Sequence, residues 1–211
     1  PFFCRTNKDE LGVPAPELDQ VVEVQSTAEE NELLRVLLAS CPSAFARIVR
    51  TLQFESDPEL LGAALDSSEL ECVLDQVGDS YDDIDYVDFS QTFYDLIQRS
   101  RPSSKLVACE DLVSGIVAEG RPVIVWCIFV RSINNLRRDL RAEGISAESI
   151  SGASPQDERR RILDDFRAGR FKVLVTNPQT LAESVSLHTV CHDAVYFEYS
   201  YNLVHLLQSK D

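Results

Sequence analysis

The chain has 211 residues, of which 44% are hydrophobic and 26% are charged, and its formal net charge is -15. The hydrophobic content is enough to form a globular core. The sequence holds no apolar run of about 18 residues and no basic N-terminal stretch followed by an apolar one, so it predicts neither a membrane span nor a signal peptide. We therefore expect a cytoplasmic protein without a membrane partner.

The charge is distributed unevenly between the two halves of the chain. Residues 1–103 carry 21 acidic and 7 basic side chains, a net charge of -14, whereas residues 104–211 carry 14 acidic and 13 basic side chains, a net charge of -1. Because carboxylates repel phosphates, the first half is not expected to bind nucleic acid nonspecifically. The chain therefore consists of two different parts.

Six cysteines are spread along the sequence without a Cys-x-x-Cys spacing. In a chain of this size, such a spread favours reduced thiols over a disulfide framework. His188, Cys191, His192 and Asp193 include several metal-ligating types, but a tetrahedral zinc site needs a second group at a matching spacing, and the sequence has none. We expect no metal site.

The first half of the chain predicts mostly helices. Residues 1–27 contain several prolines and an alternating run at Val21–Val24, which predict an extended segment. Thr27, followed three residues later by Glu30, predicts the capped start of a helix. Residues 81–88 alternate carboxylates as a calcium loop does, but they lack its central glycine and terminal glutamate, so we interpret them as a solvated connection. The further predicted helices cover 42–54, 57–65, 68–77 and 87–100.

The second half predicts strands that alternate with helices. Its strands are short and almost entirely apolar, which is typical of strands that are covered on both faces. Such alternation predicts a parallel α/β sheet whose ligands lie at the carboxyl ends of the strands. The predicted elements are the helix 105–119, the strand 122–129, the helix 131–143, which is stopped by Gly144, the strand 145–150, the helix 155–168, the strand 171–176 and the strand 194–199.

Several segments of this half carry recognisable motifs. Val123–Leu140 is a hydrophobic strand that leads into a helix with leucines in register. Ser151–Arg159 joins a glycine to a Glu-Arg pair, and Lys172–Thr176 is a second buried strand. These segments resemble motif IV, the segment that follows it and motif V of the Swi/Snf-type ATPases of helicase superfamily two. Residues 192–211 resemble the family's last strand, its Trp-Asn turn and the Gln-x-x-Asp that opens motif VI.

This resemblance implies the second RecA-like lobe of such an ATPase, here a fragment that ends inside motif VI. It implies no catalytic residue in the chain itself, because the family's arginine fingers would follow just after Asp211. The implied domains are an extended segment leaving the first lobe (1–27), an acidic, protrusion-like helical region (28–103) and the lobe itself (104–211). ATP and magnesium would be cofactors of the full-length protein, and none would be bound by this fragment alone.

The sequence also departs from the family. It contains no glycine-rich nucleotide loop of the GxxxxGK or GxGxxG type, so the chain alone lacks the equipment for phosphoryl transfer. The family's glycine-rich motif V loop is replaced by Val175–Leu187, which has no glycine and two extra residues. Cys127 stands where the family usually has serine, which weakens a hydroxyl contact with a phosphate.

Four residues are candidates for nucleic-acid binding. Cys127 lies near the end of the first buried strand and Arg131 lies just past it, and Thr176 ends the second, where its hydroxyl would contact a phosphate or form a turn. Arg159 opens a run of three arginines, for which a solvated, salt-bridged helix face is the alternative. Trp126 and Phe129 are interpreted as core residues, and Glu198 as a residue that shapes the turn after its strand.

Three further residues are candidates for nucleotide binding: Glu183, which would hold a ribose hydroxyl, and Gln208 and Asp211, which would position motif VI near the nucleotide or would only form a cap and face solvent. We expect the full-length protein to be an ATP-dependent DNA helicase or double-stranded DNA translocase, with its first RecA-like lobe and double-stranded DNA as partners. The alternative is a degenerate lobe that acts as an acidic protein-interaction module, with a protein partner bound through the helical region.

Overall fold

The computed structural model describes residues 19–41, 43–62, 90–181 and 187–199. Within these residues, a helical part precedes an α/β part. No helix among them is both long and apolar enough to cross a membrane. The predicted helix at 68–77 and most of the predicted segment 1–27 lie outside the described residues, and the described end of that segment, including Val21–Val24, is exposed and has no regular secondary structure.

The helical part contains the helices α1 (Ala28–Ser40), α2 (Ala44–Ser56) and α3 (Gln91–Arg99), and a 3-10 helix at Pro58–Gly62. α1 begins with the predicted capping box, in which Thr27 and Glu30 exchange side-chain and backbone hydrogen bonds. α2 ends before Asp57, which is extended, because a residue that precedes a proline is disfavoured in helical conformation. The shared core of this part includes Leu33, Leu37, Cys41, Ala46, Phe54, Leu61, Phe93, Leu96 and Ile97.

The α/β part contains four strands and four helices among the described residues. The strands are all parallel, and their order across the sheet is β2-β3-β1-β4. This arrangement confirms the predicted fold class, a RecA-like parallel sheet flanked by helices and preceded by a helical segment. The elements are α4 (Ser104–Ala118), β1 (Val123–Trp126), α5 (Val130–Ala142), β2 (Ala147–Ile150), α6 (Gln156–Arg167), β3 (Val173–Thr176), α7 (Pro178–Leu181) and β4 (Asp193–Tyr196).

The sheet has a hydrophobic core on each face. Alternate residues of β1 and β3 point to opposite sides, so that Val125 and Val175 contact the core on one face and Trp126 and Leu174 contact the other. The first core is completed by apolar residues of α4 and α5, and the second by apolar residues of α6. Both central strands are fully buried, which explains why their sequences are continuously apolar.

α5 ends in a turn that orients β2. Gly144 has a φ of 84°, in the left-handed region that residues with a Cβ rarely adopt. The amide of Ile145 donates back to the carbonyl of Leu140 at 2.9 Å, and the amide of Gly144 donates to the carbonyl of Arg141 at 3.0 Å. These bonds satisfy the last carbonyls of the helix, as in a Schellman motif. The predicted stop of this helix at Gly144 is confirmed.

Candidate nucleic-acid interface

The strand order brings the ends of β3, β1 and β4 side by side at the carboxyl edge of the sheet. Two backbone hydrogen bonds continue beyond the strands and tie the following loops together. The amide of Cys127 donates to the carbonyl of Thr176 at 2.8 Å, and the amide of Phe197 donates to the carbonyl of Trp126 at 3.0 Å. Residues that are far apart in the sequence therefore form one edge, where α/β proteins place their ligands.

Thr176, the last residue of β3, is completely buried. Its Oγ1 has no hydrogen-bond partner among the described residues. The turn after the strand is instead formed by Asn177, whose Oδ1 accepts a hydrogen bond from the amide of Thr180 at 3.2 Å. The hydroxyl of Thr176 was predicted either to form this turn or to contact a phosphate. The turn is formed by Asn177 instead, and the phosphate contact stays a prediction.

Cys127 is also completely buried, and its thiol belongs to the core beneath α4 and α5. Burial raises the pKa of the Cys127 thiol well above its usual value, and the carboxylate of Glu198 adds to this effect. The thiol is therefore neutral at physiological pH. The side chain of Cys127 is buried and its amide is bonded to Thr176, and the predicted phosphate contact of Cys127 stays a prediction.

Arg131 lies in the first turn of α5, and its side chain is 45% exposed. Its guanidinium lies 3.5 Å from a carboxylate oxygen of Glu59, in the helical part of the chain. Glu59 also forms an ion pair with Arg101 at 2.8 Å. The predicted nucleic-acid contact at Arg131 therefore has an exposed cation at the expected edge, next to an acidic residue that sequence analysis did not connect with it.

Arg159 is held by backbone carbonyls rather than by carboxylates. Its Nε donates to the carbonyl of Ser154 at 2.8 Å, and its Nη2 donates to the carbonyl of Gly152 at 2.7 Å. The neighbouring Arg161 lies 3.7 Å from the carboxylate of Asp165, as expected for a salt-bridged helix face. Among the described residues no acidic partner neutralises Arg159, so it fixes the loop between β2 and α6 while its positive charge is retained.

Glu198 is a residue of this edge whose contacts sequence analysis missed. Its side chain is only 3% exposed, and its Oε2 accepts hydrogen bonds from the amides of Ile128 at 2.5 Å and Phe129 at 2.9 Å. The sequence interpretation assigned Glu198 to the turn after its own strand, because only the pairing of β4 with β1 shows that the β1–α5 loop is adjacent. A carboxylate near the end of an otherwise apolar predicted strand was the available signal.

The aromatic residues of this edge belong to the core, as predicted. Trp126 and Phe129 are 4% and 1% exposed, respectively. The ring of Trp126 stacks on that of Tyr196, with centroids 6.4 Å apart, and Tyr196 stacks in turn on Tyr199. The prediction that Trp126 is not a platform for nucleic-acid bases is consistent with its burial.

The three candidates for nucleotide binding, Glu183, Gln208 and Asp211, lie outside the described residues, so their roles stay predictions. Within the part of the chain that is described, no group of three or more His, Cys, Asp and Glu side chains could hold a metal ion.

Comparisons with curated proteins find relatives that are similar to part of this chain. It is 28% identical over 123 residues to Switch 2 of Arabidopsis thaliana, which covers 58% of this chain and 14% of that protein. It is 27% identical over 175 residues to the DEAD-box ATP-dependent RNA helicase CshA of Streptococcus pneumoniae, which covers 83% of this chain and 29% of that protein. The chain thus spans less than a third of either relative.

Comparisons with solved structures support the fold. The chain resembles the C-terminal part of the Fun30 ATPase domain with a TM-score of 0.65 and 13% identity, covering 93% of this chain and 79% of that one. It resembles the Sulfolobus solfataricus SWI2/SNF2 ATPase C-terminal domain with a TM-score of 0.53 and 14% identity, covering 83% and 67%. Residues 104–211 match the helicase conserved C-terminal domain, and the chain belongs to this family.

Proposed function

We propose that the chain is the second RecA-like lobe of an ATP-dependent DNA helicase or double-stranded DNA translocase, and that it is inactive by itself. The observation that carries this proposal is the position of Arg131 and Arg159, each in the first turn of a helix that follows a strand of one parallel sheet, in a family of helicase C-terminal domains. Positive groups at these helix starts suit contacts with the phosphates of a polynucleotide, which fix position without reading sequence.

The nucleotide would be shared between two lobes. The sequence of this chain has no glycine-rich phosphate loop, so the triphosphate and its magnesium ion would be held mainly by the companion lobe. Glu183, Gln208 and Asp211 would complete the site from this side. When bound, ATP would supply the free energy for closing and opening the two lobes, and the loops at the carboxyl edge of this sheet would hold and release the nucleic-acid backbone.

Duplex DNA is the proposed substrate because the motifs at Val123–Leu140 and Ser151–Arg159 resemble those of Swi/Snf-type ATPases. Curated relatives that are named as RNA helicases make RNA the competitor to test. Both substrates present phosphates to the same cations, so the distinction requires a direct comparison. Stimulation of ATP hydrolysis by duplex DNA but not by single-stranded RNA would support the proposal, and the reverse preference would contradict it.

The first prediction concerns the isolated 211-residue chain. We expect it to show no ATP hydrolysis with or without duplex DNA, whereas a longer protein that also carries the first lobe hydrolyses ATP and is stimulated by duplex DNA. A coupled ATPase assay on both proteins measures this difference. DNA-stimulated hydrolysis by the 211-residue chain would contradict the proposal, and absence of hydrolysis by the two-lobed protein would favour the protein-interaction alternative.

The second prediction concerns the nucleic-acid interface and is tested by measuring the affinity for duplex DNA. Replacing Arg131 with alanine in the two-lobed protein should weaken duplex binding about fivefold, since one phosphate contact is lost. Arg138→Ala is the matched control, because Arg138 lies on the same helix but pairs with Asp139. Equal affinities of the two variants in fluorescence anisotropy would show that Arg131 is not part of the interface.

A further inference from the structure

Glu198 occupies a position that its own strand does not explain. Its carboxyl group is buried at the end of β4, and among the described residues no basic side chain forms an ion pair with it. Burial of an ionised carboxylate is costly unless hydrogen bonds replace the water that it loses. The contacts of Glu198 therefore indicate what the residue is for.

Both of the described donors to this carboxylate are backbone amides at the start of α5. Oε2 accepts from Ile128 and from Phe129, and Phe129 is the N-cap residue of the helix. The phenyl ring of Phe129 cannot accept a hydrogen bond from the start of the helix. The backbone amide of this N-cap residue is instead satisfied by the carboxylate of Glu198, which lies 69 positions away in the sequence. A negative group is also favoured at this end of a helix, where amide dipoles point outward.

The same loop is fixed from its other side by β3. The amide of Cys127 donates to the carbonyl of Thr176 at 2.8 Å, and the amide of Glu198 itself donates to the carbonyl of Trp126 at 3.2 Å. Three consecutive amides, at 127, 128 and 129, are therefore all engaged by neighbouring strands. Arg131 follows two residues later, in the first turn of the helix whose start is held in this way.

We propose that Glu198 is a positioning residue that sets the orientation of the first turn of α5 and thereby aims the guanidinium of Arg131 at a nucleic-acid phosphate. Because Glu198 already occupies the amides of Ile128 and Phe129, a phosphate cannot bind to these amides, and contact falls to the Arg131 side chain. This inference rests on the proposed function. It goes beyond it by assigning a role to an acidic residue that would itself repel nucleic acid.

The test uses the two-lobed protein and the variants Glu198→Ala and Glu198→Gln, with Glu119→Ala as the control. Glu119 is an exposed acid that lies before β1, at the opposite end of the strand from the β1–α5 loop. We expect Glu198→Ala to raise the duplex concentration needed for half-maximal stimulation about fivefold, which is the loss expected for Arg131→Ala itself. ATP hydrolysis without DNA should be unchanged in the Glu119→Ala control. Glu198→Gln retains an acceptor oxygen and should recover most of the affinity.

A double-mutant cycle with Arg131→Ala separates positioning from general destabilisation. If Glu198 acts through Arg131, the double variant Glu198→Ala/Arg131→Ala should bind duplex DNA no more weakly than Arg131→Ala alone. Additive losses, or wild-type affinity in a folded Glu198→Ala variant, would overturn the inference. Equal losses of hydrolysis with and without DNA would do the same, because they would indicate a structural role only.

Hydrogen exchange on the 211-residue chain provides a second measurement if Glu198→Ala does not fold. In the Glu198→Gln variant, the amides of Ile128 and Phe129 should remain protected from exchange, as in the wild type. The two-lobed protein with the same substitution should bind duplex DNA with near-normal affinity. Fast exchange of these amides with unchanged affinity would overturn the inference. Failure of the proposed function is distinguishable, because in that case the wild-type protein itself would neither bind duplex DNA nor respond to it.

Discussion

Glu110 is a half-buried residue of α4 whose ionisation lowers the stability of the folded protein. Burial raises the pKa of its carboxyl group to about 7, and the nearby carboxylates of Asp139, Glu143 and Asp111 contribute in the same direction. Its Oε1 is buried and has no hydrogen-bond partner among the described residues. The folded protein therefore holds this proton more tightly than the unfolded chain does.

This difference predicts a pH dependence. Because the folded pKa lies above the value of 4.5 for an unperturbed carboxyl group, Glu110 costs almost nothing below that pH, and its cost grows as the pH rises from 4.5 and is complete above about 7. At pH 8, Glu110→Gln should raise the free energy of unfolding by about 1–2 kcal/mol, a value reduced to allow for solvent screening. At pH 4.5 the two proteins should be equally stable.

Urea denaturation at both pH values measures this effect. Asp111→Asn is a suitable control, since it also removes one negative charge from α4 but at an exposed position. Equal stabilisation by both variants at pH 8 would show that overall charge is responsible, rather than the burial of Glu110.

At the scale of secondary structure elements, Glu30 connects the start of α1 with the start of α4. It completes the capping box with Thr27, and it also accepts hydrogen bonds from the amide and the hydroxyl of Ser104, at 2.7 and 2.6 Å. Burial alone would raise the pKa of Glu30, but the hydrogen bonds from Ser104 and Thr27 outweigh it, and the pKa is lowered. One side chain thus satisfies amides at the ends of two helices.

Replacing Glu30 with alanine should lower the free energy of unfolding by about 2–3 kcal/mol, because the cap and the bonds to a second helix are lost together. Glu29→Ala, at the exposed neighbouring position in the same turn, should change it by less than about 0.5 kcal/mol. Since the folded pKa of Glu30 is lowered, its contribution should be present above pH 4.5 and should decline in more acidic solution. Thermal denaturation at pH 7 and pH 3 tests both statements.

At the scale of the whole molecule, Asp57 joins the helical part to the α/β part. This residue is 4% exposed, and its carboxylate accepts hydrogen bonds from Arg101 Nε at 3.0 Å and from Asn135 Nδ2, on α5, at 3.0 Å. Ser103 supports the same junction by donating to the carbonyl of Ser56 at 3.1 Å. This acidic side chain of the helical part is thus engaged in contacts within the chain.

We expect Asp57→Ala to uncouple the two parts, because it leaves Arg101 and Asn135 without their buried acceptor. Thermal unfolding should change from one cooperative transition to two, with the helical part melting first. Differential scanning calorimetry detects this change. Glu55→Ala, at an exposed position two residues earlier, should keep a single transition. A single transition in Asp57→Ala would show that apolar contacts alone maintain the coupling.

The local features of the protein could be predicted from short stretches of its sequence. The apolar runs at Val123–Trp126 and Val173–Thr176, the capping pair of Thr27 and Glu30, and the helix stop at Gly144 were all predicted, because each depends on residues within a few positions of one another. The resemblance to helicase motifs supplied the fold class for the same reason, since those motifs are continuous segments.

The contacts between these segments, in contrast, are visible only in the folded protein. The strand order β2-β3-β1-β4 places Glu198 beneath the amides of Ile128 and Phe129, which lie 70 and 69 positions away, and it buries Cys127 between two strands. The contact of Arg131 with Glu59 spans 72 positions. Such contacts arise from packing between distant segments and leave no periodic pattern in the sequence, so the individual roles at the carboxyl edge became visible only in the folded chain.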